Sequence, residues 1–208
     1  MLAEFVAIPL GSQYVRDNLE PLNKSFLFFG PQGTGKTLAV RAIQTQCSAL
    51  VLDISPSNIL EKYTDRAACK KLFNMAWQVA HEYEPAIILC DELDLVYPKK
   101  RKTPQQKAAS KMKTPMDKII QFTKAAKRVI FIGCTNQYEV SPKVMKKKFD
   151  KRFYFPYPDY GTRMQLFKHF IQLKGGELKD SFSVSTLAHL TEGYPAGSVR
   201  NFIIRIFF

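Results

Sequence analysis

The sequence lacks apolar runs that are long enough to cross a membrane. Its longest runs, such as Ser25 to Phe29 and Ala86 to Cys90, fall far short of the roughly 18 residues that a membrane-spanning helix needs. The first residues are interrupted by Glu4, Pro9 and Gly11, which is not the pattern of a secretory signal. We therefore expect neither membrane integration nor secretion.

Cysteine is also sparse, and its spacing does not fit a metal site. The four cysteines include no Cys-x-x-Cys pair and have no histidine partner at metal-ligand spacing. This pattern predicts free, mostly buried thiols in a reducing compartment.

Acidic residues are few, because 18 Asp and Glu stand against 31 Lys and Arg and leave a formal net charge of +13. Eight basic residues and one acidic residue give the stretch 99–118 a charge of +7, and six basic residues and one acidic residue give 141–152 a charge of +5. Such clustering favours particular loops that meet an acidic partner over general nucleic-acid affinity. The alternative is that these loops are merely solvated.

Short apolar runs alternate with longer amphipathic segments, which predicts an α/β fold. Nearly continuous apolar strands are typical of a sheet whose two faces are covered by helices. We therefore predict a three-layer α/β/α sandwich around a mostly parallel five-stranded sheet. The predicted strands are 26–29, 50–54, 86–90, 129–133 and 153–155, and the predicted helices between them are 36–47, 65–83 and 115–127.

The pattern changes to helices alone after Pro158. We predict an α/β domain over 1–158 and a small helical domain over 159–208, with helices at 160–173, 184–191 and from 196 onward. The last helix ends on an apolar sequence that would need a further helix to cover it. We therefore expect the helical domain to be truncated.

The strongest motif lies between the first predicted strand and the first predicted helix. It fits Gly-x-x-x-x-Gly-Lys-Ser/Thr and consists of Gly30, Pro31, Gln32, Gly33, Thr34, Gly35, Lys36 and Thr37. Backbone N–H groups in such a loop can surround phosphate oxygens at a helix N-terminus. We expect Lys36 to contact the β and γ phosphates, Thr37 to bind Mg²⁺ and Leu38 to contact the nucleotide. A glycine-rich turn without a ligand is the alternative.

Polar side chains follow two other predicted strands. Asp91 and Glu92 come directly after 86–90, and we expect Asp91 to hold the Mg²⁺ shell and Glu92 to orient and deprotonate the attacking water. Capping of the next helix is the alternative for this acidic pair. Asn136 is expected to hydrogen-bond the γ phosphate or the water, or otherwise to begin a turn.

These residues, in this order, resemble the AAA family of ATPases. The resemblance assigns Walker A to 30–37, Walker B to 87–92, sensor 1 to Asn136 and the second region of homology to 141–159, and 193–198 resembles a segment of the family's lid. It implies a P-loop AAA fold with a small helical lid that binds ATP or ADP together with Mg²⁺.

Within that family, four shorter segments look most like the IQ- and AAA-domain-containing subunits of the ciliary nexin-dynein regulatory complex. They are 55–59, 62–63, 158–160 and 175–178. This resemblance implies a cytoplasmic or cytoskeletal location in the axoneme of a cilium or flagellum. The implied partners are other subunits of a ciliary complex and the doublet microtubule, with no membrane partner, no nucleic acid and no preference for a homo-hexamer.

Two departures from the family pattern bear on hydrolysis. Lysines occupy 146–148, where oligomeric AAA enzymes carry an arginine finger. Lysine keeps the positive charge but lacks the planar guanidinium group with which arginine binds a phosphate through two hydrogen bonds. Arg152 is an imperfect substitute for that finger. Tyr63 aligns with a substrate-gripping pore aromatic, but the Gly-Glu that usually follows is absent, so Tyr63 either grips substrate or packs on its own surface.

Two functions follow from these features. The first is an ATP-binding structural or regulatory subunit of the ciliary complex with slow or no hydrolysis. The alternative, supported by Glu92 and Asn136, is an active oligomeric AAA ATPase that remodels protein or microtubule substrates. In either case we expect the basic run from Lys99 to Lys113 to form an exposed loop, which contacts an acidic surface such as tubulin tails or is simply solvated.

Overall fold

A computed structural model describes residues 1–18, 22–63, 65–98, 103–137, 147–176 and 183–207. The chain divides into two compact units. The first contains Met1–Phe29 and Thr37–Tyr154, and the second contains Gly30–Lys36 and Phe155–Phe208.

A parallel sheet forms the centre of the first unit. Its strands are β1 (Ser25–Phe29), β2 (Leu50–Asp53), β3 (Ala86–Cys90), β4 (Val129–Thr135) and β5 (Lys151–Tyr154). Within the described residues their order is β2-β3-β4-β1-β5, and every neighbouring pair is parallel. The predicted α/β class and five-stranded parallel sheet are confirmed. The predicted bounds are exact for β3 and differ by one or two residues for the other strands.

Helices pack against this sheet and cover its central strands. Every residue of β3 and β4 is buried, and the core joins Ile88 and Phe131 of these strands to Phe73 and Met116 of two helices. Among the described residues between Met1 and Tyr154, the helices include α1 (Ile8–Gly11, after a π-helical turn at Ala3–Ala7), α2 (Gln13–Asn18), α3 (Lys36–Cys47), α4 (Pro56–Ile59), α5 (Arg66–Glu82), α6 (Leu93–Val96), α7 (Pro104–Ala109) and α8 (Lys113–Ala125).

The three longest of these helices, α3, α5 and α8, confirm the crossover helices that the sequence predicts. Their starts follow local chemistry, as at α5, where the Asp65 carboxylate accepts hydrogen bonds from the N–H groups of Arg66 and Ala67. The sequence did not reveal α7, which begins with a capping box between Thr103 and Gln106.

The prediction of an exposed basic loop from Lys99 to Lys113 is wrong for its second half. Residues Pro104–Ala109 form α7, a turn of 3₁₀ helix follows at Ser110–Met112, and Ala109 and Met112 are buried. Apolar residues at this spacing face the core, whereas Lys107 and Lys111 are exposed. The run 99–102 lies outside the described residues.

The second unit contains three helices in its described part: α9 (Tyr160–Leu173), α10 (Val184–Leu190) and α11 (Ala196–Phe207). These confirm the helical segments predicted after Pro158. Their core contains Phe167, Ile171, Val199 and Ile203. Arg163 is buried among them and donates hydrogen bonds to the carbonyls of Ala188 and Pro158 over 2.9 and 2.8 Å, which ties α9 to α10 and to the segment before α9.

All four cysteines are free thiols, and Cys69, Cys90 and Cys134 are buried, as the sequence predicts. Among the described helices, none combines the length and the apolar character that crossing a bilayer requires.

Candidate nucleotide site

The glycine-rich loop follows β1 and belongs to the second unit. Gly30 and Gly33 have φ angles of +148° and +78°, which residues with a Cβ rarely adopt. Space is also restricted at Gly30, since a Cβ there would lie 2.2 Å from the carbonyl oxygen of Phe155. The glycines of the motif are therefore required by backbone conformation and by close packing of the chain.

Lys36 is almost completely buried, with 6% of its surface exposed. Its ammonium donates hydrogen bonds to the carbonyls of Gly30 and Pro31, over 2.9 and 2.7 Å. The Thr34 hydroxyl also donates to the Pro31 carbonyl, over 2.9 Å. Because charged phosphate oxygens are stronger acceptors than neutral carbonyls, a phosphate group in this loop would attract the Lys36 ammonium.

The same loop contacts the segment before α11. The Gly197 N–H donates a hydrogen bond to the Gly33 carbonyl over 2.9 Å, and a Cβ at Gly33 would lie 3.3 Å from the Pro195 side chain. The structure thus brings the glycine-rich loop together with the segment 193–198 that resembles part of a lid.

In the first unit, Thr37 at the start of α3 faces Asp91 at the end of β3. The Thr37 hydroxyl donates a hydrogen bond to Asp91 Oδ2 over 3.2 Å. Asp91 is held by its backbone, because its N–H donates to the Ser55 hydroxyl over 2.8 Å, and the Ser55 hydroxyl in turn donates to the Asp53 carboxylate. The sequence analysis does not assign these roles to Ser55 and Asp53, although a polar residue at the end of β2 and another two positions later could have indicated them.

Thr37 and Asp91 fit a magnesium ion that a nucleotide shares. Mg²⁺ in such sites usually takes one or two protein oxygen ligands and completes its shell with phosphate oxygens and water. A hydroxyl beside a carboxylate supplies those ligands. Within the described ranges no group of three or more His, Cys, Asp or Glu side chains could hold a metal ion.

Glu92 has an unusual backbone conformation for a glutamate. Its φ of +53° lies in the left-handed region, and its N–H donates to Asp91 Oδ1 over 2.8 Å. Burial raises the pKa of the Glu92 carboxyl above its ordinary value, and the nearby charges of Asp91 and Asp94 raise it further. A carboxylate with increased proton affinity suits a general base.

Asn136 follows β4 directly and is exposed. The residue before it is fixed, because the Thr135 hydroxyl donates to Asp94 Oδ1 over 2.9 Å and accepts from the Gln137 N–H over 3.2 Å. The structure therefore connects the end of β4 to α6, the short helix after β3, through Asp94, a residue that the sequence alone does not single out. Leu38 is 70% exposed, and its predicted nucleotide contact stays a prediction.

The two described lysines at the arginine-finger positions, Lys147 and Lys148, differ in their exposure and contacts. Lys148 forms an ion pair with Asp117 of α8 and lies over the Tyr97 ring, 5.3 Å from its centroid. Lys147 is exposed, while Lys146 and the rest of 141–146 lie outside the described residues. Lys148 is thus engaged within its own unit.

Tyr63, the candidate pore aromatic, is partly buried and packs against the core of the first unit. Its carbonyl accepts a hydrogen bond from the buried Cys69 thiol over 3.2 Å. This placement agrees with a tyrosine that packs on its own surface.

Comparisons with known proteins agree with this geometry. A family model described as "ATPase family associated with various cellular activities (AAA)" matches residues 26–157. Over 198 residues, or 93% of this chain, the sequence is 34% identical to Spastin from Anopheles gambiae and covers 23% of that protein. Over the same length it is 32% identical to Spastin from Drosophila grimshawi and covers 25% of it.

Two solved structures have a similar fold. One is the crystal structure of the FIGL-1 AAA domain in complex with ADP, which has a TM-score of 0.77 and 25% sequence identity over 96% of this chain and 65% of that one. The other is a second crystal structure of the FIGL-1 AAA domain, which has a TM-score of 0.78 and 25% sequence identity over 96% of this chain and 64% of that one.

The chain spans about a quarter of the length of these Spastins and just under two thirds of the FIGL-1 chains. These relatives are Spastins and FIGL-1, and they give no support to the predicted resemblance to a subunit of the nexin-dynein regulatory complex.

Proposed function

The chain belongs to the AAA family of ATPases, whose model matches more than half of it, and we propose that it is the nucleotide-binding domain of an active oligomeric ATPase that remodels protein or microtubule substrates. Similarity to Spastin and FIGL-1 supports this function over that of a ciliary structural subunit. The ligand that we propose is ATP, or ADP after hydrolysis, together with Mg²⁺.

The hydrogen bond between Thr37 and Asp91 is the observation that carries this proposal. It places a hydroxyl and a carboxylate side by side directly after the phosphate-binding loop, because Thr37 is the next residue after Lys36. A glycine-rich turn without a ligand would have no need of a carboxylate at this point. The bound Mg²⁺ would neutralise charge on the β and γ phosphates.

Three further residues have separate roles in the proposed hydrolysis of ATP. Lys36 moves its ammonium from the loop carbonyls to phosphate oxygens and stabilises their negative charge. Glu92 accepts a proton from the attacking water, which its raised pKa favours. Asn136 donates a hydrogen bond to the γ phosphate or to the water and keeps the two in line.

The proposed substrate class follows from the charge distribution. The stretch 99–118 concentrates +7 in the connection between β3 and β4, and its described lysines 107, 111, 113 and 118 are exposed. Surface charge of this density attracts acidic partners through a salt-sensitive interaction. Acidic tubulin tails fit that description.

A second candidate is a nucleotide-bound subunit of a ciliary complex with slow or no turnover. The ion pair between Lys148 and Asp117 favours only the slow turnover in this candidate. Because Lys148 is paired with Asp117, it is less available to contact the nucleotide of a neighbouring subunit.

Both candidate functions require nucleotide binding at this site, which titration with a nucleotide tests. A fluorescent ATP analogue with Mg²⁺ should bind the wild type, and Lys36→Ala should weaken binding strongly. Lys168→Ala, which removes an exposed lysine of α9, is the matched control and should bind like the wild type. Equal binding by Lys36→Ala and the wild type would contradict the site.

A further inference from the structure

A polar cleft lies at the edge of the sheet opposite to Asp91 and Asn136. Lys24 and Arg128 immediately precede β1 and β4, and Glu84 lies just before β3. These three strands are adjacent and parallel, so the residues before them share one edge and the residues after them share the other. At about 3.3 Å per residue, strands of this length separate the two edges by about 15 to 20 Å.

Positive charge dominates this cleft, which has a volume of about 530 Å³. Among the described residues that line it, two are acidic, Asp17 and Glu84, and five are basic: Arg16, Lys24, Lys124, Lys127 and Arg128. The lining therefore has an excess of three positive charges.

One donor in the cleft lacks an acceptor. Arg128 Nε is buried and has no hydrogen-bond partner, and it is the only buried side-chain nitrogen or oxygen of which this is true in the described part of the chain. A buried donor without an acceptor is costly, by an amount comparable to a lost hydrogen bond. A ligand that supplies an acceptor would remove this cost.

Two other cations of the cleft are fixed in place by backbone carbonyls. Lys24 Nζ donates to the carbonyls of Ala126 and Lys127, each over 2.7 Å, and Arg16 Nη1 donates to those of Pro9 and Leu10, each over 3.1 Å. Burial lowers the pKa of Lys24, and the charge of Arg16 lowers it further. The cleft thus holds mutually repelling cations in a preorganised arrangement, which an anionic ligand would stabilise.

We propose that this cleft binds an acidic peptide segment of a protein partner, with carboxylates paired to Arg128, Lys127 and their neighbours. The cations come from α2, from the residue before β1 and from the end of α8 onward, so they suit several carboxylates along a chain better than one small anion. None of the described lining residues is aromatic, so the cleft offers no stacking surface for nucleic-acid bases. None of the described lining residues belongs to the stretch 99–118 or to the residues named for the nucleotide site.

Binding of a fluorescein-labelled oligoglutamate peptide tests this proposal by anisotropy at low and moderate salt. Lys127→Glu should weaken binding by about fivefold to tenfold, because it replaces an attraction by a repulsion. Lys168→Glu makes the same change of charge on α9, outside the cleft, and should leave binding nearly unchanged. Arg128→Lys keeps the charge but removes Nε, and it should also weaken binding.

Titration of an ATP analogue in parallel separates this proposal from the proposed function, since Lys127→Glu should bind the nucleotide normally. Equal weakening by Lys127→Glu and Lys168→Glu would overturn the proposal, because the attraction would then belong to the whole basic chain. Inorganic phosphate that displaces the peptide completely at low millimolar concentration would overturn it in favour of a small-anion site. A single-stranded oligonucleotide that binds more tightly than the peptide, and loses affinity in Lys127→Glu, would overturn it in favour of nucleic acid.

Discussion

Thr37 and Asp91 lie 54 positions apart in the sequence, and the Thr37 hydroxyl donates a hydrogen bond to the Asp91 carboxylate over 3.2 Å. The contact joins the start of the helix after the glycine-rich loop to the end of the neighbouring buried strand β3. Asp91 is itself held by Ser55 through its backbone N–H. The two side chains therefore form a prepared pair of oxygen ligands.

Asp91→Asn should reduce the Mg²⁺-dependent part of nucleotide binding. Loss of one charged ligand should lower the Mg²⁺-dependent affinity for nucleotide by about tenfold to a hundredfold. An effect of this size is similar to the loss of one hydrogen bond to a charged group. The measurement is titration of an ATP analogue with Mg²⁺ and with a chelator. Asp65→Asn, a change of the same charge at the start of α5, is the control and should keep the full Mg²⁺ effect. Identical Mg²⁺ dependence in wild type and Asp91→Asn would rule out the ligand role.

Asp150 should make folding stability depend on pH in the acid range. Its Oδ2 accepts hydrogen bonds from the N–H groups of Lys24 and Ser25, each over 3.0 Å. Burial alone would raise the pKa of Asp150, but these hydrogen bonds, a further one with the Ser25 side chain and the charge of Lys124 together lower it. Ionised Asp150 therefore stabilises the fold above its ordinary pKa, and this contribution is lost as the pH falls through the lower pKa of the folded state.

Asp150→Asn should accordingly lower the free energy of unfolding at neutral pH by about 1 to 2 kcal/mol. The difference from the wild type should shrink below about pH 4, where the carboxyl of the unfolded chain becomes protonated, and should vanish below the lower pKa of the folded state. Urea unfolding at several pH values measures both. Asp17 is exposed, so Asp17→Asn is the control for the loss of one negative charge. A difference that stays constant from neutral to acid pH would contradict the assignment.

The sheet and the phosphate loop could be predicted because their signals are local. Apolar runs mark strands that are buried on both faces, and the glycines at 30, 33 and 35 serve a backbone that adopts positive φ. Asp91 and Glu92 could be placed because parallel strands end at the same edge of a sheet. These features need only the order of residues along the chain.

The remaining features depend on contacts between residues that are distant in the sequence. The link from Asp94 to Thr135 spans 41 positions, and the contact of Lys148 with Asp117 spans 31. Neither pair has a distinctive spacing, so a single sequence cannot reveal them. The sequence does not reveal helix α7 because Lys107 and the lysines on either side of the helix suggest a solvated loop, while its buried face is marked mainly by Ala109.

The structure predicts different outcomes at two adjacent finger positions. Lys147→Arg should raise ATP turnover by about tenfold or more, because it adds a bidentate fork at an exposed residue and arginine fingers contribute about 10³ to 10⁵ in related reactions. Lys148→Arg should raise turnover much less, since Asp117 holds that side chain. Steady-state ATPase assays at matched protein concentration compare the two. A larger gain from Lys148→Arg would contradict this assignment of the finger position.

The basic run should contribute to microtubule binding through charge alone. Replacing Lys99, Lys100, Arg101 and Lys102 with Ser should reduce co-sedimentation with microtubules at low salt, because it removes four positive charges. The reduction should be smaller at physiological salt, where ions screen charges over about 8 to 10 Å. Replacing the three lysines of this run with Arg preserves the charge and should preserve binding. ATP-analogue binding should be unchanged in both variants. Unchanged co-sedimentation of the Ser variant across a salt series would reduce the run to a solvated surface.

Steady-state ATP turnover across a range of protein concentrations, for the wild type and for Glu92→Gln, tests the central claim most directly. An active oligomeric ATPase should show turnover per subunit that rises with concentration, because a neighbouring subunit completes the site. Glu92→Gln should abolish this turnover and retain nucleotide binding, since the amide cannot accept the proton of the attacking water. Turnover that is absent at every concentration, or that is equal in the wild type and Glu92→Gln, would contradict the account.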